Sequence, residues 1–205
     1  YRNLPPNPIL FLFLALIAVT FVYFKVKRLL IEKSTWEQGR DGEIEVGQYL
    51  EQLRAKGYTV FHDIQCNAGG KPFNIDHVVV SPHGIFVIET KMPSKPLRRK
   101  NRIDFDGKNR ITISGVSCDY EAVPQAIYNA KWLSDEILPK RKDQKAYPVI
   151  PIVVYPTWFV NAPDSTKHVW VLNPKGLEWK IQKEPQSLTQ DEVNSVSAVL
   201  SHQNR

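Results

Sequence analysis

Asp76, Glu89 and Lys91 have the residue types and the spacing to form one chemical site, because two short strands can bring them to the same spot. Residues 74–91 read Asn-Ile-Asp-His-Val-Val-Val-Ser-Pro-His-Gly-Ile-Phe-Val-Ile-Glu-Thr-Lys, with two valine- and isoleucine-rich runs flanking the turn-type segment Ser81-Pro82-His83-Gly84. That pattern predicts a β-hairpin. Pairing Val80 with Ile85 sets Asp76 opposite Glu89, and alternation then puts Asp76, Glu89 and Lys91 on one face. Directly opposed carboxylates weaken a sheet, so a divalent cation and the Lys91 ammonium are expected to compensate. An isolated Glu-x-Lys is an ordinary strand end; the cross-strand Asp76 lifts this one above that.

Glu43 is the third acid. On an expected helix it precedes Val46 by 3 and Leu50 by 7 positions, on or beside the face turned to the sheet. A carboxylate there is costly unless paired or metal-bound; the plainer reading is an acid favoured by the dipole at a helix start. Glu45 projects away, into solvent. Gly39 and Gly42 would let another backbone come close. Oxygen donors from Glu43, Asp76 and Glu89, with the Thr90 carbonyl added, suit Mg2+ or Mn2+. Lys91, a compact point charge, could position or deprotonate a water and offset charge on a phosphate. Such a set fits phosphodiester hydrolysis.

The elements that must position these groups follow from periodicity and breakers. Trp36 to Lys56 reads as a helix stopped by Gly57, and Tyr58 to Cys66 as a strand ahead of the hairpin. Met92 to Lys100 is a basic loop containing Pro93 and Pro96. Arg102–Phe105 and Arg110–Ile113, around Asp106-Gly107, form a small second hairpin. Tyr120 to Leu138 reads as a helix with Pro124 in its first turn. Val149–Tyr155 and His168–Leu172 are strands, and Leu188 to Ser201 is a closing helix. Together they predict an α/β fold, a mixed sheet flanked by helices.

Charge and composition bound the partners. Residues 1–34 carry five Lys/Arg against Glu32, so they hold +4 of the net +6. From Lys91 to Arg110 there are eight Lys/Arg against Asp104 and Asp106. That stretch reads either as a solvated loop or as a phosphate-contacting surface built from Lys95, Arg98, Arg99, Lys100 and Arg102. Cys66 and Cys118 make no CxxC pair, which excludes a zinc site on paired cysteines and points to free thiols in a reducing compartment. Ile9 to Phe24 is 16 residues long and apolar but for Thr20, followed by Lys25, Lys27 and Arg28. A signal peptide would carry its positive charge ahead of the run, and a core helix would show a polar side. A membrane anchor over residues 1–34 is therefore expected, with residues 35–205 as a single-pass protein's cytoplasmic domain by the positive-inside bias. Position 1 is not Met, so a longer parent protein is expected.

Gly42-Glu43, Asn74-Ile75-Asp76-His77 and Glu89-Thr90-Lys91 together resemble the NERD (nuclease-related) domain of the PD-(D/E)XK nuclease superfamily, over about residues 37–155. The resemblance implies a restriction-endonuclease-like sheet, Glu43, Asp76 and Glu89 as metal ligands, Lys91 as the catalytic lysine, and nucleic acid, DNA first, as substrate. Gln125 aligns with a glutamine that such domains often carry, and Ile75 stands where many superfamily members have proline. The rival is a non-catalytic module that binds nucleic acid or a partner at the membrane; a third reading gives the basic loop to anionic lipid. A zinc cluster of His62, His77 and His83 is disfavoured because alternation turns His77 away from Asp76. No phosphate-binding GxxxxGK[ST] loop and no serine-hydrolase motif occur. Trp36, Trp132, Trp158, Trp170 and Trp179 are scattered and read as packing residues.

Overall fold

A computed structural model describes residues 7–95, 100–141, 143–163 and 168–203. The chain divides into two compact units, with the boundary between Gln38 and Gly39. Helix α1 (Pro8–Arg54) contributes to both. Its N-terminal part holds an 18-residue window of mean hydropathy 2.5 with none of it buried, long and apolar enough to cross a membrane. Its C-terminal part carries the apolar residues expected from the spacing, with Val46, Leu50 and Leu53 buried.

The second unit is built on a five-stranded mixed sheet. Strands β1 (Thr59–Ala68), β2 (Lys71–Ser81) and β3 (Gly84–Thr90) form an antiparallel meander. Strands β7 (Val149–Val154) and β9 (Trp170–Leu172) extend it in parallel, in the order β1-β2-β3-β7-β9. Every residue of β3 is buried, as befits a central strand covered on both faces. One face packs Val79, Phe86 and Ile88 against Val46 and Leu50 of α1 and Leu177 and Ile181 of α3 (Leu177–Lys183). The other packs Val78, Val80, Ile85 and Val87 against Ala130 of α2 (Ala122–Trp132) and Val196 of α4 (Gln190–Gln203).

A second, four-stranded sheet has the order β6-β5-β4-β8. The expected small hairpin supplies β4 (Arg102–Phe105) and β5 (Ile111–Ile113); β6 (Ser117–Asp119) and β8 (Phe159–Asn161) complete it. These last two strands, and α3, were not predicted. At three residues each the strands are too short to show a period. The helix expected over Tyr120–Leu138 is α-helical only to Trp132 and finishes as a π-helical turn, Leu133–Ile137.

The hairpin has the expected register: Val80 pairs with Ile85, and the ladder runs on to His77 and Ile88. Gly84 takes φ +147, and a Cβ there would lie 3.1 Å from the Pro148 carbonyl oxygen that accepts the Ile85 N–H. Gly84→Ala should therefore cost about 1–3 kcal/mol, read as a lower urea midpoint of the full chain in detergent. Gly39→Ala, in open space on α1, should instead gain up to about 1 kcal/mol. A Gly84→Ala chain as stable as its parent would refute this constraint on the turn.

Candidate functional site

The β2–β3 register brings Asp76 and Glu89 to the same end and the same face of the sheet, the face covered by α2. Glu89 is 3 % exposed. Its Oε1 lies 2.8 Å from Lys91 Nζ, and its Oε2 accepts from Asn129 Nδ2 at 3.1 Å. Asp76 is partly buried, and its Oδ2 accepts the Thr90 backbone N–H at 2.7 Å. Lys91 Nζ also donates to Gln125 Oε1 at 2.8 Å, so the ammonium is shared between β3 and α2. Asp76, Glu89, Lys91 and Gln125 thus stand together.

Both acids are driven toward their protonated forms. Burial pushes the Asp76 carboxyl up to about 8, with the facing Glu89 adding to the effect and the Thr90 N–H and Lys91 opposing it. Burial also raises Glu89, against the pull of Lys91. Glu43 acts on both from the rim. Its own carboxyl is raised, by desolvation first and then by Asp63. Glu43 is exposed, and α1 packs on the face of the sheet opposite the acid pair. Among the described residues no group of three or more His, Cys, Asp and Glu is placed to hold a metal ion. Mg2+ asks less than that, since it keeps several waters and is often held by one or two carboxylates plus substrate phosphate. A pair of buried, mutually repelling carboxylates fits such an ion.

Gly42 positions this rim. A Cβ on it would fall 2.8 Å from Met92 Cβ, so only glycine lets α1 come this close to the residue after Lys91. Gly39 has nothing within 4 Å, and no close approach occurs there. Thr90 is buried, and its hydroxyl has no partner among the described residues. Lys95 and Lys100 are exposed, while Arg102 is held by Asp104 at 2.7 Å. Arg98 and Arg99 lie outside the described residues. On the opposite face His77 pairs with His62, Nδ1 to Nδ1 at 2.8 Å, and His62 reaches Glu51 at 2.7 Å; none of the three touches the acid pair.

Several residues of the site were missed. Asn129 sits four positions after Gln125 on α2, and that i, i+4 spacing was the available signal. Asp119 adds negative charge near Glu89, accepts from Tyr155 Oη at 3.4 Å and accepts the Ala122 N–H at 3.0 Å at the start of α2. Asp63 takes φ +50 in β1 and accepts from Asn74 Nδ2 at 2.7 Å. No sequence signal marked it.

No curated protein and no solved structure matches the chain. A family model described as the nuclease-related domain matches residues 38–156. That stretch is more than half of the chain; it runs from α1 through the hairpin acids and α2 to the end of β7, so it spans all the residues gathered at this site. The chain therefore belongs to the NERD family, within the PD-(D/E)XK-like nuclease superfamily.

Proposed function

We propose that this domain cuts phosphodiester bonds of nucleic acid, DNA first, with Mg2+ or Mn2+ at Asp76 and Glu89. The observation that carries the reading is the buried carboxylate pair beside Lys91, on a chain whose family is nuclease-related. Asp76 and Glu89 would hold the cation, with Glu43 and the Thr90 carbonyl completing its shell from the rim. A divalent cation so bound would supply Lewis-acid stabilisation and a more acidic water. Lys91, tied to Glu89 and Gln125, offers an ammonium to a non-bridging phosphate oxygen and orients the attacking water. Asn129 and the Thr90 N–H hold the two carboxylates in place. Lys95, Lys100 and the neighbouring basic residues would meet flanking phosphates.

The apolar part of α1 would anchor the domain, with Lys25, Lys27 and Arg28 keeping it on the cytoplasmic side. A module that binds nucleic acid without cutting it is the second reading, and the exposure of Glu43 at the rim, apart from the Asp76–Glu89 pair, favours it. Magnesium calorimetry separates the two, since the module would show nucleic-acid affinity without metal affinity.

Three outcomes are expected. With Mg2+, the full chain in detergent should nick supercoiled plasmid, and Asp76→Asn or Lys91→Ala should each slow it by about 100-fold or more. Nicking that survives both substitutions would assign the chemistry elsewhere. The pH dependence has a definite sign. Asp76 is raised from 3.8 to about 8, so the folded chain holds a proton that the unfolded chain releases. That contribution to stability is complete below about 4 and is lost as pH rises toward 8. Metal-free melting temperature should fall over this range, Mg2+ should restore more of it at the upper end, and Asp76→Asn should flatten the curve. A parent curve as flat as the variant's would refute the carboxylate repulsion. Finally, protease added outside intact cells should leave the domain uncut; digestion would put it on the other side of the membrane.

A further inference from the structure

Strands β7 and β9 run parallel to β3, so their C-terminal ends open on the same edge of the sheet as Glu89 and Lys91. The connection leaving β7 carries Trp158 and leads into β8 at Phe159, and the one leaving β9 carries Asn173 to Lys175. All of these residues lie beyond the family match, which ends at residue 156. Two adjoining clefts, about 490 and 430 Å3, share Trp158, Phe159, Asn173 and Lys175 as walls. Trp179 and Lys180 close the second.

The clefts present aromatic rings to solvent. Phe159 is 66 % and Trp179 56 % exposed, against 2 % for Trp158 beneath them. Thr157 takes φ +61, a conformation a β-branched residue rarely adopts, at the turn just before Trp158 enters the core and Phe159 emerges. Asn173 secures the neighbouring loop by donating to the Tyr155 and Trp158 carbonyls at 3.3 and 3.0 Å. Each exposed ring has a cation beside it: Arg102 lies 6.0 Å from the Phe159 centroid and Lys183 3.6 Å from that of Trp179. The nearby acids are partly engaged, Glu178 by Lys56 at 2.6 Å and Asp104 by Arg102 at 2.7 Å; Glu45 also lines the first cleft. A concave surface of solvent-exposed rings, each with a cation at one side, matches a polyanion whose bases are unstacked, since each base offers a π-face and each phosphate a charge. A duplex keeps its base faces hidden.

We infer that these clefts bind single-stranded nucleic acid, with bases stacking on Phe159 and Trp179 and phosphates meeting Lys175 and Lys180. The inference rests on the nucleic-acid reading above and adds the strandedness of the ligand and a second contact surface. The test is fluorescence anisotropy of a labelled oligothymidylate, with a labelled duplex alongside, using the full chain in detergent and EDTA. The parent should prefer the single strand. Joint Phe159→Ala and Trp179→Ala should weaken single-strand binding by about tenfold or more and leave duplex binding little changed. Phe159→Tyr with Trp179→Phe should retain the affinity, and this separates stacking from misfolding. Single-strand affinity that is absent in the parent, unaltered by the alanine pair, or lost equally for duplex overturns the inference. Plasmid nicking is scored separately: a chain that nicks but ignores the oligonucleotide defeats only this surface, and one that binds without nicking defeats only the nuclease reading.

Discussion

The acid pair exists only while β2 and β3 keep one register. Side chains alternate, so a slip of one residue would carry Asp76 to the α1 face and leave Glu89 facing α2 alone. The turn that prevents this lies at the far end of the strands. Gly84 fits against Pro148, and the Pro82 carbonyl accepts N–H groups from Ser187 and Leu188 at 2.9 and 3.0 Å. Ser187 Oγ donates to the His83 carbonyl at 3.2 Å. The segment leading into α4, outside the family match, thus clamps the hairpin about 20 Å from the carboxylates it aligns, at roughly 3.3 Å per residue along β3. Burial reinforces the clamp, because a slipped register would also exchange the valines and isoleucines between the two apolar faces.

Within that frame the site is electrostatically unbalanced. Lys91 is the cation bonded to Glu89, while Glu43 and Asp119 add negative charge near the pair and Asp63 adds it beside Glu43. The hydrogen bonds are divided unequally: among the described residues Glu89 receives an ammonium and an amide, Asp76 a single backbone N–H. A fold selected for stability alone would place apolar residues at this end, as it does along the rest of the same face. Such a concentration of raised carboxyls in one place is the pattern expected of a functional site, and it supports the proposed reading.

How much of this could be read from the sequence depended on distance along the chain. The hairpin, its register and the facing of Asp76 and Glu89 follow from period-2 alternation and one turn, all within residues 74–91. The buried face of α1 followed from helical spacing in the same way. Periodicity did not show which side of the sheet that face would cover. It covers the side opposite the acid pair, which leaves Glu43 at the rim, where its placement beside the sheet had suggested convergence. Asn129 and Asp119 join through tertiary contacts that no local window contains. The reading of all five tryptophans as packing residues failed for Trp179 and Trp36, which are 56 % and 81 % exposed.

The mixed topology gives the sheet edge its two characters. The antiparallel hairpin can place charged side chains from neighbouring strands against one another, because a tight turn lets sequence neighbours face each other. Parallel strands cannot be joined so tightly; they require crossovers, and each crossover leaves a loop at the C-terminal edge. Here β3 ends in Glu89 and Lys91, while β7 and β9 lead on to Phe159 and Lys175. The proposed chemistry, which needs close acids, and the proposed binding, which needs broad rings, would thus fall on adjacent stretches of one edge. The division also separates their stability demands. The acids sit where β2 and the buried central strand β3 end together, and mutual repulsion is costly there, whereas the rings sit on β8 and α3 with their faces left exposed.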